Sequence, residues 1–371
     1  MSLATLVSTA VDLECITQLV EFVRAAREWV CVAVYQLTVD GSPELVRALN
    51  RAAARGVAVY LVVNNWRLQP SSNRCCAELA RALQPQVRLA LWRHHVMNNT
   101  HCKFALRDDG RFVVLTSNVT PHFAAPCGWR GVGVEIEGDS VAAGAVWDAF
   151  EWLWRGATLQ RCTGAERQPV VGAKAINTRP SGPRPAALRD VRVLFERTCA
   201  GCVADRLAGA TTVRALLEMI ASARTTVDVV ASNLSSRRVI RAPLEASRRG
   251  VRVRCVLSHG INTFYRWLGH LTNEQVERRY SRELEIRWAN RRGATCRLPG
   301  CQGGTAPRGV NHSKLLVVDS EHVLLGSSNL DWLSMVHSSE LNVAFVDPGG
   351  RIAGVFARFW AEALGSAESS F

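Results

Sequence analysis

Two short segments of the chain carry the same residue types at the same spacing. Asn98 to Thr120 (NNTHCKFALRDDGRFVVLTSNVT) sets His101, Lys103 and Asp108 in the order H-x-K-x-x-x-x-D. Asn311 to Asp331 (NHSKLLVVDSEHVLLGSSNLD) sets His312, Lys314 and Asp319 in the same order. A small polar cluster follows each, Thr116-Ser117-Asn118 in the first and Gly326-Ser327-Ser328-Asn329 in the second. On an extended chain residues i and i+2 share a face, so each segment presents an imidazole beside an ammonium. Two imidazoles that reach one substrate atom can divide the work, one as neutral nucleophile and the other, protonated, as general acid. Lys103 and Lys314, with the amides of Asn118 and Asn329, suit the non-bridging oxygens of a phosphoryl group and the charge that develops on them. Neither carboxylates nor thiols cluster with the histidines, so the pattern is not that of a catalytic metal site.

Those segments must be brought together, and the chain repeats the elements that could do so. Ile16 to Leu37 has apolar residues at helical spacing and then alternates through Val30, Val32 and Val34 like a strand. Val213 to Leu234 does the same, Arg27 matching Arg224 and Val30 matching Val227. Ala48 to Val63 is mirrored by Ala242 to Leu257, with a helix closing at Gly56 or Gly250 before a buried strand. Third strands are expected at Val87 to Leu91 and Leu284 to Trp288, and aromatic helices at Val146 to Trp154 and Val355 to Trp360. The reading is two copies of one α/β fold with mixed or mainly parallel sheets. The copies occupy 1–162 and 189–371, and the Pro-, Gly- and charge-rich stretch 163–188 connects them.

The chain of 371 residues is 48% hydrophobic, which excludes a disordered or fibrous polymer. Its net charge of +13 calls for an anionic partner. No stretch approaches the roughly 18 apolar residues of a spanning helix, and Asp12 and Glu14 interrupt the first apolar run. Twelve cysteines without an export signal read as reduced thiols. The expected location is cytoplasmic, with peripheral attachment to membranes.

The duplicated element with its following Gly-Ser-x-Asn resembles the signature of the phospholipase D superfamily, along nearly the whole chain. The resemblance implies two pseudo-twofold related α-β-α sandwich halves with one shared active site, a covalent phosphohistidine and no cofactor. By the same resemblance one of His101 and His312 is the nucleophile and the other the acid, His101 being favoured as nucleophile. Lys103, Lys314, Asn118 and Asn329 are implied to bind phosphate, assisted by Ser327 and Thr116. Glu135 and Glu340 are the candidate carboxylates that orient the two rings, and Asp108 and Asp319 are implied to be structural. The first copy departs from the pattern, because Leu115-Thr116 stands where Gly326-Ser327 stands in the second.

The expected substrate is a phospholipid, on the likeness of GSSNLD and SSELNV to cardiolipin synthases. The alternative is a nuclease using the same chemistry on DNA or RNA, and an inactive binding scaffold is the third reading. One chain holds both motifs, so a monomer suffices for one site. Cys199, Cys202, Cys296 and Cys301 form two close pairs that a structural zinc could join, unrelated thiols being the other reading. Arg291-Arg292 enters the loop before His312 as a positive rim. Cys102 is expected in the core, and the tryptophans around Trp147, Trp152 and Trp154 are read as packing between the halves.

Overall fold

A computed structural model of the chain describes residues 5–66, 68–94, 99–123, 128–138, 140–160, 189–197, 211–260, 270–296, 306–331, 334 and 337–365. The connector expected at 163–188 lies outside the described residues.

The first half runs β1 (Thr5–Val11), α1 (Glu14–Arg24), β2 (Trp29–Val34), α2 (Pro43–Ala54), β3 (Ala58–Trp66), α3 (Pro70–Ala82), β4 (Arg88–His94), β5 (Asn99–Thr100), β6 (Lys103–Arg107), β7 (Arg111–Leu115), β8 (Val132–Glu137), α4 (Ser140–Gly156) and β9 (Thr158–Gln160). The second runs β10 (Arg189–Glu196), α5 (Thr211–Ser222), β11 (Thr226–Ala231), α6 (Arg237–Arg248), β12 (Arg252–Leu257), α7 (Asn273–Tyr280), β13 (Glu285–Trp288), β14 (Thr295–Cys296), β15 (Ala306–Pro307), β16 (Lys314–Val318), β17 (His322–Gly326), β18 (Ser338–Val346) and α8 (Arg351–Glu362). One sheet has the order β1-β8-β7-β6-β2-β3-β4-β9 and the other β10-β18-β17-β16-β11-β12-β13, so the repeat extends to strand order. Within each, three strands are parallel (β2, β3, β4 and β11, β12, β13) and the strands beyond β2 and β11 are antiparallel.

Local sequence explains the elements that frame the site. Ser42 accepts from Leu45 N at 3.2 Å and Pro43 opens α2, a start that satisfies a donor the helix cannot. The chain then leaves α2 through Gly56 at φ +89° and leaves α6 through Gly250 at φ +90°. A Cβ would meet nothing within 4 Å at either position, so the left-handed backbone alone is what asks for glycine there.

The apolar faces sort into three layers. One face of the first sheet packs on α1, α2 and α3 through residues such as Leu19, Leu49 and Leu79. The matching face of the second packs on α5, α6 and α7 through Leu216, Leu244 and Val276. The inner faces share one cluster with α4 and α8, which includes Phe104, Phe150, Val317, Phe345 and Phe356. Each half is therefore an α-β-α sandwich, and the middle layer belongs to both. Trp147 meets Trp29 at 5.2 Å, Trp154 meets Tyr60 at 5.2 Å, and Trp152 crosses to Phe195 of β10 at 5.6 Å. Of the three α4 tryptophans, Trp152 thus contacts the other half directly, whereas Trp147 and Trp154 pack on strands of their own half.

Candidate active site

The two motifs sit at equivalent edges of the two sheets. Strand β6 lies antiparallel to β2 with Lys103 opposite Val34, and β16 lies antiparallel to β11 with Lys314 opposite Ala231. Each histidine therefore stands just outside the sheet, beyond the carboxyl ends of the parallel strands, where open α/β sheets leave room for ligands. The edges meet through backbone pairing across the halves. Asn99 and Thr100 pair with Ser338 and Ser339, and His101 N donates to Ser339 O at 2.8 Å. Reciprocally, Arg130 bridges to Asn311, and His312 N donates to Arg130 O at 2.7 Å. The imidazole centroids come to 6.4 Å of each other, a gap that one tetrahedral phosphoryl group can occupy.

Both lysines are buried, Lys103 at 0% exposure and Lys314 at 4%. Lys103 Nζ donates to His101 O at 2.6 Å, and Lys314 Nζ donates to His312 O. Burial pulls the Lys103 ammonium down to about 7, with Glu340 opposing the change, and holds Lys314 well below the usual lysine range with Lys103 adding to the effect. Burial, then the neighbouring lysines, keep both histidines well below the usual imidazole range. Glu340, fully buried, is raised to about 7 by burial, against the pull of Lys103, Ser327 and Lys314. Two lysines and two imidazoles face one another around this carboxylate, a field that a bound anion would relieve.

The carboxylates divide differently from the expectation. Glu340 reaches across the halves to His101, with its oxygens 3.0 and 3.1 Å from Nδ1. Glu135 does not reach His312. It lies four residues into β8, accepts from Ser8 Oγ and faces Arg107 and Arg111 at 3.7 and 3.8 Å. Strand register explains the correction. Val113 pairs with Glu135 as Leu324 pairs with Ala344, so the counterpart of Glu135 is Ala344. What stands against His312 Nδ1 instead is the Thr116 carbonyl at 2.9 Å, with Lys314 Nζ at 3.0 Å. The carbonyl only accepts and so favours a proton on Nδ1, which leaves Nε2 for a substrate, whereas a Lys314 ammonium favours the other tautomer.

The small polar clusters also separate. Thr116 Oγ1 accepts from Val132 N at 2.8 Å, and Ser327 Oγ accepts from Leu341 N at 2.9 Å. Both hydroxyls thus brace the adjoining strand. Asn329 Oδ1 accepts from Ser232 Oγ at 3.2 Å, which leaves its amide nitrogen for a ligand. Asn118 donates from Nδ2 to Gln36 Oε1 at 3.2 Å, and its buried Oδ1 has no partner among the described residues. Asp319 accepts from the amides of Arg224, Thr225 and Thr226 and ties the end of β16 to the start of β11. Asp108 does the equivalent with Arg27 N at 3.0 Å.

The glycine missing from the first motif has moved across the sheet. In the second half Gly326 pairs with Asn342, and a Cβ on Gly326 would lie 2.5 Å from Asn342 Cα. In the first half Leu115 pairs with Gly133, where a Cβ would lie 2.7 Å from Leu115 Cδ2. One glycine per strand pair permits the close approach, and either strand can carry it.

Several neighbours had no motif to announce them. Tyr35 sets its ring edge-on to His101 at 4.7 Å and under Lys103 Nζ at 5.3 Å. Trp129 stacks on His312 at 5.6 Å and 22°, and Phe123 meets the same ring edge-on at 5.9 Å. Asp331 is buried and accepts from Asn233 Nδ2 and Ser334 N. Pairing the repeats residue by residue would have singled out Tyr35, because its counterpart Ser232 is small, whereas only strand register matches Trp129 with Ser338. Cys102 is buried in the shared layer. Cys199, Cys202 and Cys301 lie outside the described residues, as does the side chain of Cys296. Outside the site, His259 is buried against the Trp288 ring at 3.6 Å and bonds Glu274, a structural placement.

The chain matches the family described as "Cardiolipin synthase, PLD-like domain" twice, at residues 19–154 and 216–361. No curated protein matches it by sequence. Among solved structures it is similar to phosphatidylserine synthase of Haemophilus influenzae Rd KW20, at 13% identity and a TM-score of 0.65, covering 97% of this chain and 85% of that one. It is also similar to polyphosphate kinase of Porphyromonas gingivalis, at 14% identity and a TM-score of 0.55, covering 95% of this chain and 50% of that one. At such identities the likeness is one of fold.

Proposed function

The chain belongs to the phospholipase D superfamily, as a member with the cardiolipin synthase-like domain in both halves, and on that premise we propose that it cleaves or transfers a phosphodiester through a phosphohistidine. The observation that carries the proposal is the pair of imidazoles delivered by opposite halves to 6.4 Å, each beside a buried lysine. His101 Nε2 attacks phosphorus while its Nδ1 proton is held by Glu340. The bond to the leaving oxygen breaks, and His312 donates a proton to that oxygen. In the second step His312 takes a proton from water or an alcohol, whose oxygen attacks phosphorus and releases His101. Water gives hydrolysis and an alcohol gives transfer. Lys103, Lys314 and the Asn329 amide hold the non-bridging oxygens, with Asn118 on the other side.

A phospholipid is the favoured substrate, because the family is described by a phospholipid-forming enzyme and the second motif continues into SSELNV. Among the described residues no helix is long and apolar enough to cross a membrane, and we read the attachment as peripheral. The two units are 1–162 and 189–371, joined by 163–188, and together they make one site in one chain. The net charge of +13 favours the second reading, a nuclease with the same chemistry.

A parallel assay on phosphatidylglycerol and single-stranded DNA, with EDTA present, tests the proposal. Turnover of one substrate should survive chelation and fall by at least about 100-fold in His101→Ala and in His312→Ala. Activity that disappears with EDTA, or that either alanine variant retains, overturns it.

A further inference from the structure

The two histidines are supported unequally, and the register of the strands shows why. Thr116 N donates to Val132 O as Ser327 N donates to Leu341 O, and His312 N donates to Arg130 O as His101 N donates to Ser339 O. Arg130 therefore corresponds to Ser339, Val132 to Leu341, and Gly131 to Glu340. The position that carries a carboxylate in one half carries no side chain in the other. Nor is there room for one, since a Cβ on Gly131 would fall 1.7 Å from Ser117 Oγ and 3.0 Å from Ser117 Cβ.

Two residues earlier the first half supplies something the second lacks. Trp129 lies nearly parallel over the His312 ring, and its counterpart is Ser338. Phe123 closes the ring edge-on. We propose that Trp129 is the positioning residue of His312, doing with an aromatic face what Glu340 does for His101 with a carboxylate. The inference rests on the phosphodiesterase reading above.

The physical difference between the supports assigns the roles. A carboxylate on Nδ1 stabilises positive charge on the imidazole, which suits a ring that must become a phosphohistidine. An indole face fixes the ring plane and attracts an imidazolium less strongly than a hydrogen-bonded carboxylate does. A ring so held gives up its proton more readily than one bound to a carboxylate, which suits the acid. Lys314, Lys103 and His101 all face His312 and oppose its protonation, and the Thr116 carbonyl favours it.

The test compares leaving groups. A 4-nitrophenyl phosphodiester leaves as a phenolate that needs no proton, whereas a short-chain phosphatidylglycerol must leave as an alcohol. In a single turnover, before the phosphohistidine is hydrolysed, Trp129→Leu should slow release of the leaving group about 100-fold for the lipid and less than about threefold for the nitrophenyl ester, with Trp129→Phe between wild type and Leu on the lipid. Equal losses on both substrates, or no loss on either, overturn the proposal. Histidine NMR supplies a readout independent of turnover. The His312 titration should move down by about 0.5 in Trp129→Leu and by less in Trp129→Phe, and an unmoved titration overturns the proposal. A wild-type protein that turns over neither ester removes the phosphodiesterase reading, and the titration still decides the role of Trp129.

Discussion

Glu340 belongs to the second half and His101 to the first, yet the carboxylate oxygens lie 3.0 and 3.1 Å from the imidazole Nδ1. The ring of one repeat is thus oriented by the other, and neither half contains a complete site. The same exchange occurs in the backbone, where His101 N reaches Ser339 and His312 N reaches Arg130. The shared middle layer is what holds these edges in register.

Removing the charge from Glu340 should therefore impair the first half's histidine. Glu340→Gln keeps the size of the side chain but presents an amide to Nδ1 and removes the carboxylate that opposes the lowering of Lys103, leaving Lys314 with Asp331. The expected loss in kcat is about 10–100-fold, in line with groups that orient a reacting imidazole through its far nitrogen. Steady-state kinetics check it, and a KM change at constant kcat would contradict the assigned contact.

The lysines permit a direct reading of the site's electrostatics. The sequence contains three, Lys103, Lys174 and Lys314, so a labelled-lysine NMR spectrum has three side-chain signals. Lys103 should titrate near 7, and inorganic phosphate or vanadate should move that midpoint upward by adding an anion to the site. The folded value lies below the unfolded value of 10.5, so this group's contribution to stability is fully present above pH 10.5 and is lost as pH falls through 7. Glu340 acts in the neighbouring window. Its folded value of about 7 lies above the ordinary 4.5, so its contribution is present below pH 4.5 and lost as pH rises through 7. The ligand-free protein should gain thermal stability from pH 7 to about 8, below the range in which the buried thiols, raised above 9.0, act in the opposite direction, and Lys103→Met should flatten that rise. A midpoint for Lys103 at the ordinary lysine value would refute the argument.

The two aspartates of the motifs should prove structural and unequal. Asp319 accepts from three consecutive amides, and although burial acts to raise it, those bonds hold it at about 2. Its contribution is present above pH 3.8 and lost as pH falls through 2. Asp319→Ala should cost about 1–2 kcal/mol in urea unfolding, as loss of a capping carboxylate does. Asp108→Ala, which loses one such bond, should cost less. Both variants should keep their kcat per folded molecule, and a large fall in kcat with unchanged stability would give the aspartates a chemical role instead.

The repeat and the motif residues were legible because each rests on local patterning. Helical and strand periodicity at Ile16–Leu37 and Val213–Leu234, and glycines closing helices at Gly56 and Gly250, are short-range signals that the fold reproduces. The edge strands β1 and β10 had no such signal, since they pair only with β8 and β18, far along the chain. Glu135 shows where pattern reading failed. It follows Asn118 by 17 residues where Glu340 follows Asn329 by 11, and register puts it on a different rung of β8, among arginines. The same register turned an apparent loss of glycine at Leu115 into a relocation to Gly133.

The amino-acid sequence by itself determined that two imidazoles and two ammonium groups lie at equivalent points of a duplicated α/β fold, because residue type, spacing and periodicity are properties of neighbouring residues. Only the tertiary structure decided that the two points face each other and that they differ. Which carbonyl, carboxylate or indole stands against each ring depends on strand register and on contacts across the halves. Pairing at one rung gives His101 a carboxylate from Glu340, and the equivalent rung gives His312 Gly131 and the face of Trp129. Burial around both then sets the charge states that chemistry at the site would use.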